Sequence, residues 1–490
     1  MKKVLILALF SAFGFTMFGQ YANEALRIST INQGGTSRSN AMGGTFGAIE
    51  GDASSMYFNP AAMGIYQKTE ITVTPGFEFS NTNAKFLGKT GRDFDMGMNI
   101  NNMAIVFTYN KGQPNESTNN INIGFGYTKL NNFNENIVIS GDNSINSYTD
   151  HFANKANGIY AGNFETGNNE QDKSKYQDLY FAWWNYLINP INDSTQYEST
   201  FKGHIKNQEL IIDRSGYTGE YTFAVSGSIG RKLFLGANIG IQKIIFTENK
   251  YLTEFDKNDE VFAVSKFYAN NFLSYNGTGV NLKIGALYRP LEWFTFGAAI
   301  HTPTFYSISE RYSTYMSADI DNAYRPDNAQ EYNSGEGRFN YKLNTPLRAN
   351  VNTCFVINKL VLLNADYEFV HYGQARLSGT LDSDNKEIRT YLGPSHNVRI
   401  GAEVFPLEVL GFRLGATYSS SPYKKSVISN TYSMSFSGGI GLKLGKSFSL
   451  DFAYTYFMLG NESYYLYYSS PESIIATTRN RITCTLGFKF

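Results

Sequence analysis

The sequence predicts an all-β protein: a fourteen-stranded antiparallel transmembrane β-barrel with an N-terminal plug in its lumen. Three observations predict it. Two-residue alternation of apolar and small or polar side chains runs through most of the 490 residues after position 69. The connections between the alternating segments are short and long in turn. The face opposite the apolar one carries too many charges for the core of a soluble β-protein.

The composition agrees. Charged residues make up 17 % of the chain, while Tyr (35), Phe (38) and Gly (45) are abundant. That mixture suits pleated strands, tight turns and aromatic girdles. Lys plus Arg equals Asp plus Glu at 42 each, so charge gives no footprint for nucleic acid. No segment after the N-terminus reaches 18 uninterrupted apolar residues, which leaves strands as the means of crossing a membrane.

Lys2 and Lys3 precede an apolar run from Val4 to Phe18, and polar sequence follows Gly19 and Gln20. This pattern predicts a secretory signal over residues 1–20, cleaved near Gln20. Residues 21–68 then form a Gly- and Ala-rich segment that precedes the first strand and is short enough to fit inside a barrel lumen. The barrel proper is expected over residues 69–490.

Fourteen strands are expected at about 69–79, 102–110, 120–130, 218–231, 232–248, 276–289, 291–313, 336–356, 358–377, 394–406, 410–421, 431–445, 447–461 and 478–490. In the clearest, Met434, Phe436, Ile440, Leu442 and Leu444 share one face, opposite Ser433, Ser435, Ser437, Gly439, Gly441 and Lys443. Short connections fall at 231–232, 289–292, 357–359, 406–410 and 445–446, with 111–119 somewhat longer. Long ones fall at 80–101, 131–217, 249–275, 314–335, 378–393, 422–430 and 462–477. Two rims facing different compartments explain this sorting, with short turns in the periplasm and long loops outside.

The charges Asp366, Glu368, Arg399, Glu403, Arg413, Lys443, Asp451 and Lys489 are expected on a wet lumen face. Acids interleave with bases, which favours a paired network over a track in which Arg348, Arg399, Arg413 and Lys443 guide an anion. Cys484 is expected to face lipid and Cys354 the lumen, so the two thiols should not pair. The last strand alternates Ile482, Cys484, Leu486, Phe488 and Phe490. Its terminal aromatic resembles the signal by which assembly machinery reads outer-membrane barrels, which makes that machinery an expected partner through Phe490.

One helix is expected inside the longest loop, over 174–189. Tyr176, Leu179, Tyr180, Trp183, Trp184, Leu187 and Ile188 recur at helical spacing, Ser174 and Gln177 make a capping box, and Pro190 supplies a stop. This stripe either packs on neighbouring loops or walls an apolar ligand site through Leu179, Trp183, Trp184 and Leu187. No catalytic constellation is present. The five histidines show no metal-ligand spacing, no nucleophile elbow occurs, and the DKNDE run at 256–260 lacks the Gly and terminal Glu of a calcium loop. No enzyme activity, cofactor or metal is expected.

The segment Ser39-Asn40-Ala41-Met42-Gly43-Gly44-Thr45-Phe46, followed by Asp52-Ala53-Ser54-Ser55-Met56-Tyr57-Phe58-Asn59-Pro60-Ala61, resembles the N-terminal hatch of the FadL/TodX-type outer-membrane transporters of hydrophobic compounds, ending in that family's Asn-Pro-Ala motif. The resemblance implies a monomeric barrel in the outer membrane. It also implies capture of long-chain fatty acids or similar ligands by extracellular loops, gating by the hatch, and lateral exit near the third strand. It implies ligand contact by Phe46, Tyr57 and Phe58 and gating by Asn59, Pro60 and Ala61. Gly124 and Gly126 on the third strand would permit a kink. Membrane lipids and a hydrophobic small molecule are the expected partners, with no nucleic acid. Alternative readings are an interaction barrel (a secretion shuttle or adhesin), or a pore for haem or polar solutes, although no histidine pair argues for haem.

Overall fold

A computed structural model of the chain describes residues 20–490 apart from 33, 49–50, 112–118, 166–175, 192–194, 262, 322, 324–330, 379–381, 425–430 and 468. Residues 1–19 of the expected signal segment and Ser174 therefore lie outside the described residues.

Fourteen barrel strands run in chain order: β1 (Glu70–Phe86), β2 (Lys89–Lys111), β3 (Asn119–Asn132, continued as Glu135–Asn143), β4 (Lys206–Ile229), β5 (Leu233–Asp256), β6 (Val264–Leu291), β7 (Phe294–His301 and Phe305–Ile320), β8 (Gly337–Asn344 and Arg348–Ile357), β9 (Val361–His371), β10 (Pro394–Leu407), β11 (Leu410–Ser419), β12 (Ser433–Leu444), β13 (Phe448–Met458) and β14 (Glu472–Lys489). Each pairs antiparallel with the next. β14 returns to β1, from Glu70 opposite Lys489 to Lys85 opposite Ile474, and closes the barrel. Closure leaves no sheet edge outside, the condition for a sheet to stand in lipid.

Alternation sets the two faces. On β12, Phe436 and Ile440 are exposed outward while Ser435 and Ser437 are buried inward; on β14, Ile482, Leu486 and Phe488 point out while Thr483 and Thr485 point in. Cross-strand rings reinforce the outer belt, as in Phe125 with Phe223 (centroids 5.0 Å apart) and Tyr127 with Tyr221 (5.2 Å). Cys354 is buried on the inner face, and Cys484 sits on the outer face between Ile482 and Leu486.

Several expected loops are strand instead. Residues 80–101 belong to a long β1–β2 hairpin that turns at Leu87-Gly88, and β5 and β6 run on to Asp256 and from Val264. Polar residues such as Asn81, Asn83 and Lys85 mark where the wall leaves the apolar belt, not where pairing ends. The seventh and eighth strands each break once, at 302–304 and 345–347. Two ten-residue helices fall where none was expected: α1 (Gln20–Ser29) and, in the 378–393 connection, Asp382–Tyr391, whose sequence DSDNKEIRTY has a single strongly apolar residue.

The longest connection folds into an outer cap. Its helix, α2 (Gln177–Trp184), is shorter than the expected 174–189 and starts at a Tyr176 cap with no side-chain cap bond. Pro190 lies in a two-stranded ribbon, Ile188–Ile191 with Gln196–Ser199, rather than ending the helix. Leu179, Phe181, Ala182 and Leu187 are buried in one apolar cluster with Phe86, Phe152, Phe164, Phe201 and Phe267. At the edge of this cluster the carboxyl of Glu254 is fully buried and accepts from Ser147 Oγ (2.5 Å), the Tyr148 amide (2.8 Å) and the Gln208 amide.

Burial pushes Glu254 up from 4.5 to about 7. The folded cap therefore holds a proton that an opened cap releases. Cap stability is greatest below pH 4.5, falls as pH approaches 7 and levels off above. The expected loss is at most about 3 kcal/mol. Backbone amide exchange of residues 147–156 should accelerate between pH 5 and pH 8, after correction for intrinsic rates, and Glu254→Gln should flatten that dependence. An unchanged profile in the variant would show that another group titrates.

Candidate functional site: the filled lumen, the seam at β3 and the chamber above

The Gly-rich N-terminal segment is buried almost throughout from Gly34 to Tyr66. It bonds to inward-facing groups on opposite sides of the barrel. On one side the Ser37 amide donates to Thr485 Oγ1 (2.6 Å), the Gly43 amide to Ser437 Oγ (3.1 Å), and Ser437 Oγ to Ala41 O (2.9 Å). On the other, Asn122 Nδ2 donates to Met63 O (2.9 Å) and Asn238 Nδ2 to Met56 O. The segment therefore fills the lumen at this level.

Asn59 is fully buried. Its Oδ1 accepts from the Ala61 amide (3.1 Å), which starts the helical turn Pro60–Ile65. Its Nδ2 makes long bonds of 3.3–3.5 Å to Asn352 Oδ1, Ala298 O and Ala286 O on three successive strands. Phe46, Tyr57, Phe58 and Ala61 belong to a cluster with Phe234, Leu287 and Cys354 of the wall. His301 Nε2 bonds Phe58 O at 3.0 Å. These residues join segment to wall.

Two buried ionic groups fasten the segment. Arg38 makes a forked contact with Glu403 (Nε–Oε1 3.0 Å, Nη2–Oε2 2.5 Å), Glu403 also takes Arg413 Nε (2.6 Å), and Arg413 reaches Asp451 (2.5 Å). Arg348 pairs with Glu368 (3.0 Å) and also bonds the Ser29 carbonyl, while Arg399 shares Glu368 at 3.4 Å. Arg348, Arg399 and Arg413 are thus committed to acids, and Lys443 lies over the Phe405 ring at 4.6 Å. Arg38 was legible only as the one cation in the Gly-rich run; nothing in the sequence pointed it at Glu403.

The third strand departs from its neighbour at a different place from the one its glycines suggest. Gly124 and Gly126 pair regularly with both neighbours. Their lack of side chains admits methionines instead: a Cβ on Gly124 would stand 2.4 Å from Met56 Sδ and 2.7 Å from Met63 Sδ. The β2–β3 ladder stops at Asn102 opposite Thr128. The β3–β4 register slips between Lys129 and Asn131, and pairing resumes from Glu135 opposite Arg214. Beyond the break β3 crosses the inner face of the β1–β2 hairpin, where Thr82 Oγ1 bonds Asn136 O and Gly91 admits Val138 O. Along this outer half β2 pairs with β1 alone, yet it shows Met96, Met98 and Ile100 outward. The hydrogen-bonded wall is therefore interrupted within the apolar belt.

The kink touches the N-terminal segment. The Asn32 amide donates to Leu130 O (2.9 Å), Asn32 Nδ2 to Asn131 Oδ1 (3.0 Å), and Arg479 Nη1 steadies Asn132 O (2.9 Å). Above lies a chamber of about 1300 Å³ between α1, the kink and the cap. Asn131, Asn132 and Phe133 line it, with Glu24, Arg27, Arg214, Glu248, Glu310 and several tyrosines. From α2 only Gln177 and Asp178 contribute. Leu179 and Leu187 face the cap core, Trp183 packs on Phe164 and Tyr197, and Trp184 Nε1 donates to Phe164 O (3.0 Å). The helix stripe thus covers neighbouring loops, and the expected ligand wall of Leu179, Trp183, Trp184 and Leu187 does not form at this chamber.

No family model matches the sequence, and no curated protein matches it. Solved structures do. A FadL homologue of Pseudomonas aeruginosa superposes with a TM-score of 0.54 at 11 % identity, covering 94 % of this chain and 100 % of that one. The toluene transporter TodX of P. putida gives 0.54 at 12 % identity, covering 93 % and 99 %. The monoaromatic hydrocarbon channel CymD gives 0.50 at 12 % identity, covering 93 % and 98 %. Along nearly its whole length, the chain has the fold of the FadL/TodX-type transport barrels.

Proposed function

We propose that this protein carries hydrophobic or amphipathic small molecules across the outer membrane without an enzymatic step. A ligand is caught under the outer cap, enters the chamber above the N-terminal segment and leaves sideways between β2 and β3. The segment over residues 21–68 acts as the hatch, and the chain works as a monomer. The interruption of the wall beside the chamber carries this reading, because an apolar molecule there meets lipid instead of the filled lumen. Fatty acids and aromatic hydrocarbons both fit the neighbours, one of which is a FadL homologue and another a toluene transporter.

Deleting Phe133 and Asn134, the two residues between the halves of β3, preserves the in–out alternation and lets β3 continue beside β2. Uptake of labelled oleate and of toluene should fall to the level of a strain lacking the protein, while heat-modifiable gel mobility shows an assembled barrel. Undiminished uptake by the assembled variant would refute lateral exit; a null strain with normal uptake of both would refute the transport reading.

A further inference from the structure

A row of side chains beside the chamber is unlike an alkane site, and two of its members, Phe246 and Glu310, line the chamber. Phe246 on β5, Tyr275 on β6, Glu310 on β7 and Phe339 on β8 are successive cross-strand partners. The Phe246 and Tyr275 rings stack at 4.8 Å. Glu310 is 4 % exposed and lines the chamber. Its outward-facing neighbours Ser309 and Arg311 put the row above the apolar belt.

From α1, Glu24 lines the same chamber and is 6 % exposed. Its Oε1 holds Arg27 at 2.6 Å, and Arg27 stands 4.4 Å over the Phe246 ring. Tyr275 Oη lies beside Glu24, but neither it nor Glu24 Oε2, both buried, reaches hydrogen-bond distance of a partner among the described residues. Buried carboxylate oxygens require a proton, a donor or a cation. Arg27 is already taken up by Glu24, with Glu248 at 4.0 Å, so an acid remains over.

We propose that the chamber selects amphipathic ligands bearing a protonated amine, held between Glu24 Oε2 and Glu310 with the apolar body against Phe133, Phe246 and Tyr312 of the lining. Aromatic faces and carboxylates together favour an ammonium over a neutral or anionic head group. Burial and the Glu24 carboxylate push Glu310 up to about 8, so at neutral pH it carries a proton, which passes to water when the ammonium binds.

This inference rests on the uptake reading, and one experiment separates them. Hexylamine, hexanol and hexanoate are titrated calorimetrically into the full-length barrel in nanodiscs at pH 7, with empty nanodiscs subtracted. Hexylammonium should bind at least about tenfold more tightly than the other two. Glu310→Gln should remove that preference while hexanol binding persists, and Glu24→Gln should reduce it. Equal or tighter binding of hexanol or hexanoate by the native barrel overturns the amine assignment and leaves uptake standing. A preference unchanged in Glu310→Gln overturns the placement. No binding of any of the three overturns the amine inference and counts against the chamber as an uptake site.

Discussion

Valine at Gly236 should open the barrel without preventing its assembly. Gly236 on β5 is the register partner of Gly285 on β6, and the two form a groove for Asn59-Pro60-Ala61. A Cβ at Gly236 would stand 2.4 Å from both Pro60 C and Pro60 O and 2.6 Å from Ala61 N; one at Gly285 would stand 1.9 Å from Asn59 Oδ1. Backbone atoms cannot rotate aside, so the turn must leave the wall. Overpacking of this kind costs about 1–3 kcal/mol, or about 5- to 150-fold in the ratio of displaced to seated N-terminal segment. Ion conductance in planar bilayers should rise accordingly, and cells should become sensitive to large antibiotics that an intact outer membrane excludes. The β4–β5–β6 ladder does not involve the inward face of residue 236, so heat-modifiable mobility should stay native. A native conductance in Gly236→Val would mean that Asn59-Pro60-Ala61 does not hold the lumen closed; a failure to assemble would make the motif structural.

The ionic latch is the second large effect. Glu403 is fully buried between Arg38 of the N-terminal segment and Arg413 of the wall. Glu403→Ala leaves two guanidiniums facing each other across the vacated site, with Asp451 still paired to Arg413. Removing one partner of a buried ion pair costs about 3–5 kcal/mol. The N-terminal segment should become sensitive to added protease in folded barrels, and Arg38→Ala combined with Glu403→Gln should recover part of the protection because no unpaired charge then faces the segment. Equal protease resistance in Glu403→Ala and native protein would show that the bonds to Thr485, Ser437 and Asn122 hold the segment by themselves.

Much of the barrel is written in local pattern. Alternation along β12 and β14 placed Phe436, Ile440, Ile482 and Leu486 outward, because neighbouring side chains on a strand must take opposite faces. Alternation fades where the wall rises out of lipid, so the ends of β1, β2, β5 and β6 read as loop. The helix of the cap was visible as an apolar stripe, whereas α1 was not, since it is short, carries only Leu26 and Ile28 as large aliphatic residues, and packs on partners far along the chain.

The sequence by itself determined the strand number, the two faces and a Gly-rich segment dense enough to need packing. Tertiary structure decided where β3 leaves β2, that Arg38 meets Glu403, that Gly236 and Gly285 face each other under Asn59, and that the chamber is lined by charges and tyrosines. The reason is physical: alternation is enforced by bonds between adjacent residues, whereas these contacts join positions tens to hundreds of residues apart, and their register is set only when the barrel closes.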